Sequence, residues 1–168
     1  IGTGIISTAV KNGMAGSDIA EKARDLMAEL NAKAAEVMQQ FNVSTCTDVT
    51  GFGLAGHLKE VVEASGVGAE IFSSQVPLIS GVYDLALAGS IPGGTKNNLD
   101  FVSKITTWSN DVSDLMKLII CDAQTSGGLL IAVPEEEHAA LLQALHISGI
   151  EEAAVIGRVI KGEGILVL

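Results

Sequence analysis

Two periods of apolar and polar positions run through this chain, and the switches between them predict its elements. Residues 5–10 form a short apolar run before Lys11-Asn12-Gly13, which predicts a strand and its exit turn. From Ile19 the period lengthens, with Ala23, Leu26, Met27, Leu30, Ala34, Val37, Met38 and Phe41 recurring at helical spacing. Asp18 and Glu21 have the form of a capping box at the start of that stretch, and Asn31 is a candidate break within it. Residues 54–64 read as a helix ending at Gly66, 69–72 as a strand, and 82–88 as a short helix closed by Gly89. Pro92, Gly93 and Gly94 interrupt both periods, so residues 90–98 are expected to be a loop. Residues 112–120 read as helix, 128–133 as a buried strand and 135–145 as a helix after Pro134. A closing hairpin, 155–160 with 164–168, turns around Lys161-Gly162-Glu163. Strands and helices interleave without regular βα alternation, which favours an α+β fold with a mixed sheet covered by helices.

Within this pattern, residues 47–58 carry the strongest local signal. Gly51, Gly53 and Gly56 spell GxGxxG, and Glu70 stands about 20 residues on, as a ribose-binding acid does in a dinucleotide site. The segment feeding the turn argues against that reading. Val43-Ser44-Thr45-Cys46-Thr47-Asp48-Val49 is polar at alternate positions, whereas a central parallel strand is almost continuously apolar. Asp48 also places a carboxylate where a pyrophosphate would have to approach. A cation between carboxylate and phosphate resolves the conflict, and hard magnesium prefers oxygen ligands of this kind.

Composition narrows the function classes. The 168 residues suit one domain or a piece of something larger, and 48% hydrophobic against 18% charged residues is apolar for a small domain. The apolar runs are too short for a membrane-spanning helix, which leaves an apolar face that meets another domain or subunit. A net charge of −10, with no Lys/Arg cluster, argues against nucleic acid and anionic membranes as partners. Cys46 and Cys121 are the only cysteines and lack metal-ligand spacing, which suits a reducing cytoplasm and excludes a structural zinc site. The opening Ile1-Gly2-Thr3-Gly4 has neither an initiator Met nor a signal-peptide pattern and reads as the middle of a longer protein.

Three glycine-bearing segments stand out, and their number favours a functional part over turns alone: Thr47 to Gly53, Pro92 to Asn98, and Asp122 to Gly128. Asp48-Val49-Thr50-Gly51 and Asp122 with Thr125, Ser126, Gly127 and Gly128 each set an acid ahead of hydroxyls and glycines. A metal-phosphate site groups its residues in this way, the hydroxyls and amides facing phosphate and the acid facing magnesium. Asp122 reads equally as a turn cap onto Gln124 or Thr125. His57 reads as a packed or hydrogen-bonded helix residue, both cysteines as small core residues, and Trp108 as packing a loop. No Ser-His-Asp or paired-carboxylate arrangement emerges from spacing, so the chain shows no complete catalytic set.

Taken together, Asp48-Val49-Thr50-Gly51-Phe52-Gly53-Leu54 with Gly56-His57-Leu58, Pro92-Gly93-Gly94-Thr95 with Asn98, and Cys121-Asp122-Ala123-Gln124-Thr125-Ser126-Gly127-Gly128-Leu129-Leu130 resemble the C-terminal half of the selenophosphate synthetase (selenide, water dikinase) family. The resemblance covers essentially the whole chain, and Ala123 is a departure where many members have Pro. It implies one PurM-like C-terminal domain over residues 1–168, partly similar to a ferredoxin-like arrangement. The family's two-domain enzyme makes selenophosphate from selenide and ATP, with AMP and orthophosphate as the other products. The resemblance places the reactive residue, most ATP contacts and most magnesium-binding aspartates in an N-terminal domain outside this chain. It implies that Asp48 ligates magnesium, that Thr50, Gly51, Gly53, Gly93, Gly94 and Thr95 line the ATP cleft, and that the isolated chain is inactive. The parent is expected to be a cytoplasmic homodimer. Alternatives are the C-terminal half of another PurM-like ATP enzyme, a dinucleotide-binding module using Gly51, Gly53, Gly56 and Glu70, and a non-catalytic interaction domain.

Overall fold

Helix α4 (Gly53–Ser65) organises the fold, because Leu54, Ala55, Leu58 and Val62 are all buried along it. It is followed by β2 (Gly68–Ile71), after Gly66 ends the helix in the left-handed conformation with φ 64°. The computed structural model describes residues 1–168. Strand β2 lies inside a four-stranded mixed sheet in the order β3 (Thr106–Trp108), β6 (Gly164–Val167), β2, β5 (Gly157–Ile160). β6 runs parallel to both β2 and β3, whereas β5 runs antiparallel to β2. Ala69, Ile71, Ile165 and Val167 of the sheet form one core with the apolar face of α4.

A second, two-stranded antiparallel sheet joins β1 (Thr45–Asp48) to β4 (Leu129–Ala132), with Thr45 opposite Ala132 and Asp48 opposite Leu129. The remaining helices are α1 (Thr3–Lys11), α2 (Ser17–Ala28), α3 (Ala32–Met38), α5 (Val82–Leu87), α6 (Gly93–Val102), α7 (Asp114–Ile120) and α8 (His138–Ile147). α1, α2, α5 and α7 share a second core around Ile5, Ile6, Val82 and Ile119, and α3 packs on α8 through Val37, Leu141 and Leu145. The α+β architecture expected from the interleaved pattern is present, as are the break at Asn31 and helices over 54–64 and 82–88.

Several elements differ from the expectation, each for a physical reason. Residues 5–10 are helix, not strand: Ile5, Ile6 and Ala9 are buried while Ser7 and Val10 are exposed, a one-sided helical spacing. The segment from Pro92 is helix α6 and not a loop, with Pro92 just outside it at φ −61°. Proline and glycine break a helix interior but are tolerated at its start, where the N–H groups lack intrahelical partners. Asp18 lies inside the first turn of α2 and makes no cap bond; Gly16 occupies the cap position. β5 and β6 do not pair as a hairpin, because β2 lies between them. β4 is half-buried throughout instead of fully buried, and Trp108 belongs to a strand and packs on the main core. Residues 135–137 form a 3-10 turn before α8 begins.

Candidate functional site

At the end of β1 the chain leaves the two-stranded sheet, and Asp48, its last residue, is exposed to solvent. Val49 turns inward and is 4% exposed, and Thr50 is half-buried with its hydroxyl toward His57 of α4. Two backbone bonds fasten this segment to the loop before β4: Val49 N donates to Gly128 O at 2.9 Å, and Gln124 N donates to Thr50 O at 3.0 Å. The two backbones approach too closely for side chains. A Cβ on Gly127 would collide with Val49 O, and one on Gly53 would lie 2.7 Å from the carbonyl of Cys121. Gly53 also holds φ +70°, so a glycine is required there twice over.

Helix α6 brings in the third glycine-bearing segment. Asn98 donates from Nδ2 to Gly51 O at 2.9 Å and to Cys121 O at 3.0 Å, bridging the other two. Thr95, fully buried, donates to Asp122 Oδ1 at 2.9 Å. Gly93 and Gly94, at the start of the helix, are exposed with open space where a Cβ would stand. The three segments expected to share a site therefore do meet, and Thr50, Gly51, Gly53 and Thr95 lie in one connected network.

Two residues at its centre carry more than the sequence indicated. Asp122 is fully buried and accepts at Oδ2 from Gly4 N at 3.1 Å, Ile5 N at 3.2 Å and Gln124 Nε2 at 3.1 Å. It holds the start of α1 against α6, a larger role than capping its own turn. Burial pushes its carboxyl above the ordinary carboxylate range, and the bonds from Ile5, Thr95, Gln124 and Gly4 oppose that shift. Gln124 Oε1 accepts from Gly2 N at 3.0 Å and from Thr3 N and Oγ1 at 3.1 Å. The bridging parts of Asn98, Gln124 and Thr3 escaped sequence reasoning, since nothing local distinguishes such a hub; the polar residues within apolar stretches were the one available signal.

His57 is hydrogen-bonded as expected, to Thr50, and has Glu60 beside its other ring nitrogen. Its Nε2 lies 3.0 Å from Thr50 Oγ1 and its Nδ1 lies 3.2 Å from Glu60 Oε2. Gly56 gives Phe52 room to lie over α4, where Phe52 stacks on Phe101 at 5.4 Å between ring centroids and meets His57 edge-on at 5.7 Å. Both phenylalanines are more than two-fifths exposed, at 46% and 43%, an aromatic patch beside the site.

The remaining candidates are settled by their surroundings. Burial pushes the Cys121 thiol up to about 12, and burial followed by the Asp48 charge raises Cys46, so neither is an activated nucleophile. Glu70 receives Arg158 Nε at 2.6 Å across β2 and β5, and β1 is antiparallel to its neighbour. The parallel strand and free ribose acid of a dinucleotide site are thus both missing. Nowhere does the chain gather three or more His, Cys, Asp or Glu residues into a metal-holding cluster. Asp48 supplies a single carboxylate, which fits magnesium only in its usual manner of one or two carboxylates completed by water and substrate phosphates.

The mixed sheet with α4 across it and the knot of three glycine-bearing segments are features of a known domain class. The family model for AIR synthase related protein, C-terminal domain, matches residues 1–167, and the chain belongs to that family. Among individual proteins it is 47% identical over 161 residues to the selenide, water dikinase of Pelobacter propionicus, a match covering 96% of this chain and 46% of that protein. It is 43% identical over 164 residues to the selenide, water dikinase of Clostridioides difficile, covering 97% of this chain and 47% of that one. The chain thus spans about half the length of the curated relatives it matches.

Solved structures share the fold at lower identity. The tt0281 protein of Thermus thermophilus aligns with a TM-score of 0.62 at 20% identity, over 98% of this chain and 44% of that one. AaThiL, solved with AMPPCP and TMP, aligns at 0.57 and 16% identity over 99% of this chain and 43% of its own. No helix is long and apolar enough to cross a membrane.

Proposed function

We propose that this chain is the C-terminal half of a selenide, water dikinase and forms one wall of its ATP-phosphate cleft. The observation that carries the reading is the 47% identity to an enzyme of that name across 96% of the chain, in which the matched region is 46% of the whole. In this reading Asp48 ligates magnesium at the cleft edge. Thr50 and Gly51, together with Gly93 and Gly94 at the start of α6, face the nucleotide phosphates, whereas the sequence-based assignment of Gly53 and Thr95 to the cleft lining is corrected: both are buried and hold the turn and the helix start in place. The N-terminal domain of the same protein supplies the other wall and the reacting groups, and the products are selenophosphate, AMP and orthophosphate.

Three structural features support it. Asp48 is exposed at the end of β1, Gly93 and Gly94 are open at a helix start, and the Phe52–Phe101 patch leaves apolar surface for a neighbouring domain. Bound magnesium would offset charge on the phosphates during transfer, while the chain's own residues position the ion and exclude alternatives. The reading includes a homodimeric parent in the cytoplasm, where two free cysteines persist.

The test is selenide-dependent conversion of ATP to AMP and selenophosphate by the full-length protein, followed by 31P NMR. Activity is expected in the whole protein and absent from the 168-residue chain. ATP turnover that ignores selenide in the full-length protein would overturn the reading.

A further inference from the structure

Helices α3 and α8 and the β1–β4 ribbon, residues 32–48 and 129–153, form a layer with a core of its own. Val37, Leu141 and Leu145 are its buried residues, with Phe41 and Ile131 among those packed around them. The core under α4 and the core around α1 share Ile1, Leu78 and Met116 at their margins, whereas this third core shares no residue with either. The ribbon accounts for the separation. Side chains alternate along each strand, so Ile131 and Cys46 opposite it face α3 and α8, while Leu130 and Thr47 opposite it face the core under α4. Of β1 and β4, Leu130 alone packs on that core, and no residue of either strand is buried.

Side-chain bonds keep to the same division. Inside the layer Asn42 N donates to Glu137 Oε2 at 2.8 Å, and His146 Nε2 donates to Ala153 O at 2.9 Å. Asn31 Nδ2 donates to Gly127 O at 2.9 Å where the chain enters and leaves, but both of those residues stand just outside it.

We propose that residues 32–48 and 129–153 are a lobe that unfolds as one cooperative unit while the rest of the domain stays folded, and that a divalent cation on Asp48 holds it closed. Three buried residues form the lobe's core against fourteen under α4, so the lobe is the part that opens first. Asp48 ends β1 opposite Leu129, and its position is set only while the ribbon is paired. A cation bound there favours the closed lobe by mass action, since the open lobe does not hold the carboxylate in place. The hold of the cation rests on the reading of Asp48 as a magnesium ligand; the separate opening does not.

The test is hydrogen exchange of the full-length protein, resolved by mass spectrometry at several denaturant concentrations below global unfolding. Amides of α3, the ribbon and α8 are expected to open together, and more readily than those of α4 and β2. Ile165→Val trims the core under α4 and leaves the lobe untouched. It is expected to speed exchange in α4 and β2 by roughly fivefold and to leave the lobe unchanged, because that core is intact whether the lobe is closed or open. Leu141→Ala is expected to speed exchange through α3, the ribbon and α8 alike, by roughly thirtyfold. Val37→Ala, which removes less, is expected to give the same pattern at smaller amplitude. Faster lobe exchange in Ile165→Val, or α3 and α8 responding separately to Leu141→Ala, overturns the lobe.

The cation is tested in the same protein with a non-hydrolysable ATP analogue present throughout. Added Mg2+ is expected to slow exchange in the lobe, and Asp48→Asn to remove that slowing. If Asp48→Asn weakens Mn2+ binding, read by electron paramagnetic resonance, and Mg2+ still leaves lobe exchange unchanged in the wild type, the hold of the cation falls and the reading of Asp48 stands. If Asp48→Asn leaves Mn2+ binding intact, that reading falls and the hold of the cation falls with it.

Discussion

The side-chain amide of Asn98 donates to the carbonyl oxygen of Gly51 at 2.9 Å, and the same nitrogen donates to Cys121 O at 3.0 Å. One nitrogen thereby ties the helix α6 segment to both other glycine-bearing loops. Asn98→Ala leaves the two carbonyls without that donor and is expected to cost about 1–3 kcal/mol. Asn98→Asp is expected to be worse, because a carboxylate would face two carbonyl oxygens. Chemical denaturation of the three proteins under one condition checks the order.

Gly53 and Gly51 belong to the same turn and predict opposite outcomes. Gly53→Ala combines φ +70° with a Cβ 2.7 Å from the Cys121 carbonyl and is expected to destabilise by about 1–3 kcal/mol. Gly51 has neither positive φ nor any atom within 4 Å of an added Cβ, so Gly51→Ala is expected within about 0.5 kcal/mol of wild type. Equal melting temperatures for the two variants would contradict the close approach of residues 53 and 121.

The buried carboxyl of Asp122 has a definite pH signature. Its folded pKa lies above the ordinary value of 3.8, with burial as the largest cause. A group shifted in this direction contributes stability that is fully present below its unfolded pKa and is lost as pH rises through the folded one. Asn at this position cannot titrate, and its NH2 would point a donor at donors. Asp122→Asn is therefore less stable than wild type, with a gap that widens on acidification from neutrality toward 3.8. Denaturant titrations of both proteins across that range measure the gap, and a gap that narrows on acidification contradicts the assigned shift.

Thiol reactivity separates the two cysteines from catalysis. Cys121 is fully buried with its thiol pushed up to about 12, and Cys46 is half-buried with its thiol raised. Alkylation of the native chain at neutral pH is expected to spare Cys121 until the protein unfolds and to modify Cys46 slowly. Rapid labelling of Cys121 in the native state would contradict the packing.

Asp48 is exposed and has no hydrogen-bonded side-chain partner on which the fold relies, so Asp48→Asn is expected to melt within a degree or two of wild type. In the full-length protein the same change is expected to raise the magnesium needed for half-maximal turnover. A loss of activity that follows a loss of stability would instead assign Asp48 a structural part.

What the sequence revealed depended on how local each signal was. Helix α4 and its stop at Gly66 were legible because periodicity and a left-handed glycine sit within one stretch. Helix α1 was not, since Ile5 and Ile6 adjacent to each other suit either period, and only the packing of Ile5, Ile6 and Ala9 on α5 and α7 decides. Pro92-Gly93-Gly94 misleads because the same residues that break a helix interior also begin one, and the bonds of Thr95 and Asn98 that favour the helix come from distant segments. A place for the three loops near one cleft came with the family resemblance, since glycines alone leave each loop open to a purely structural reading. The hubs at Asp122 and Gln124 were not legible, because their partners at residues 2–5 lie more than 100 positions away.

The placement of β6 between β2 and β3 has a consequence for how the chain is made. Gly68 pairs with Gly164 and Thr106 with Ile165, so β6, one of the two interior strands, is later in the sequence than both its neighbours. During synthesis β2 and β3 emerge from the ribosome and wait without a partner between them while more than fifty further residues follow. Ala69 and Ile71 already have α4 to pack on, but the backbone edge of β2 that β6 will pair stays open for that interval. A chain that stops between residues 110 and 160 therefore keeps two open strand edges of the kind that pair with other chains, and β6 is the strand that closes both.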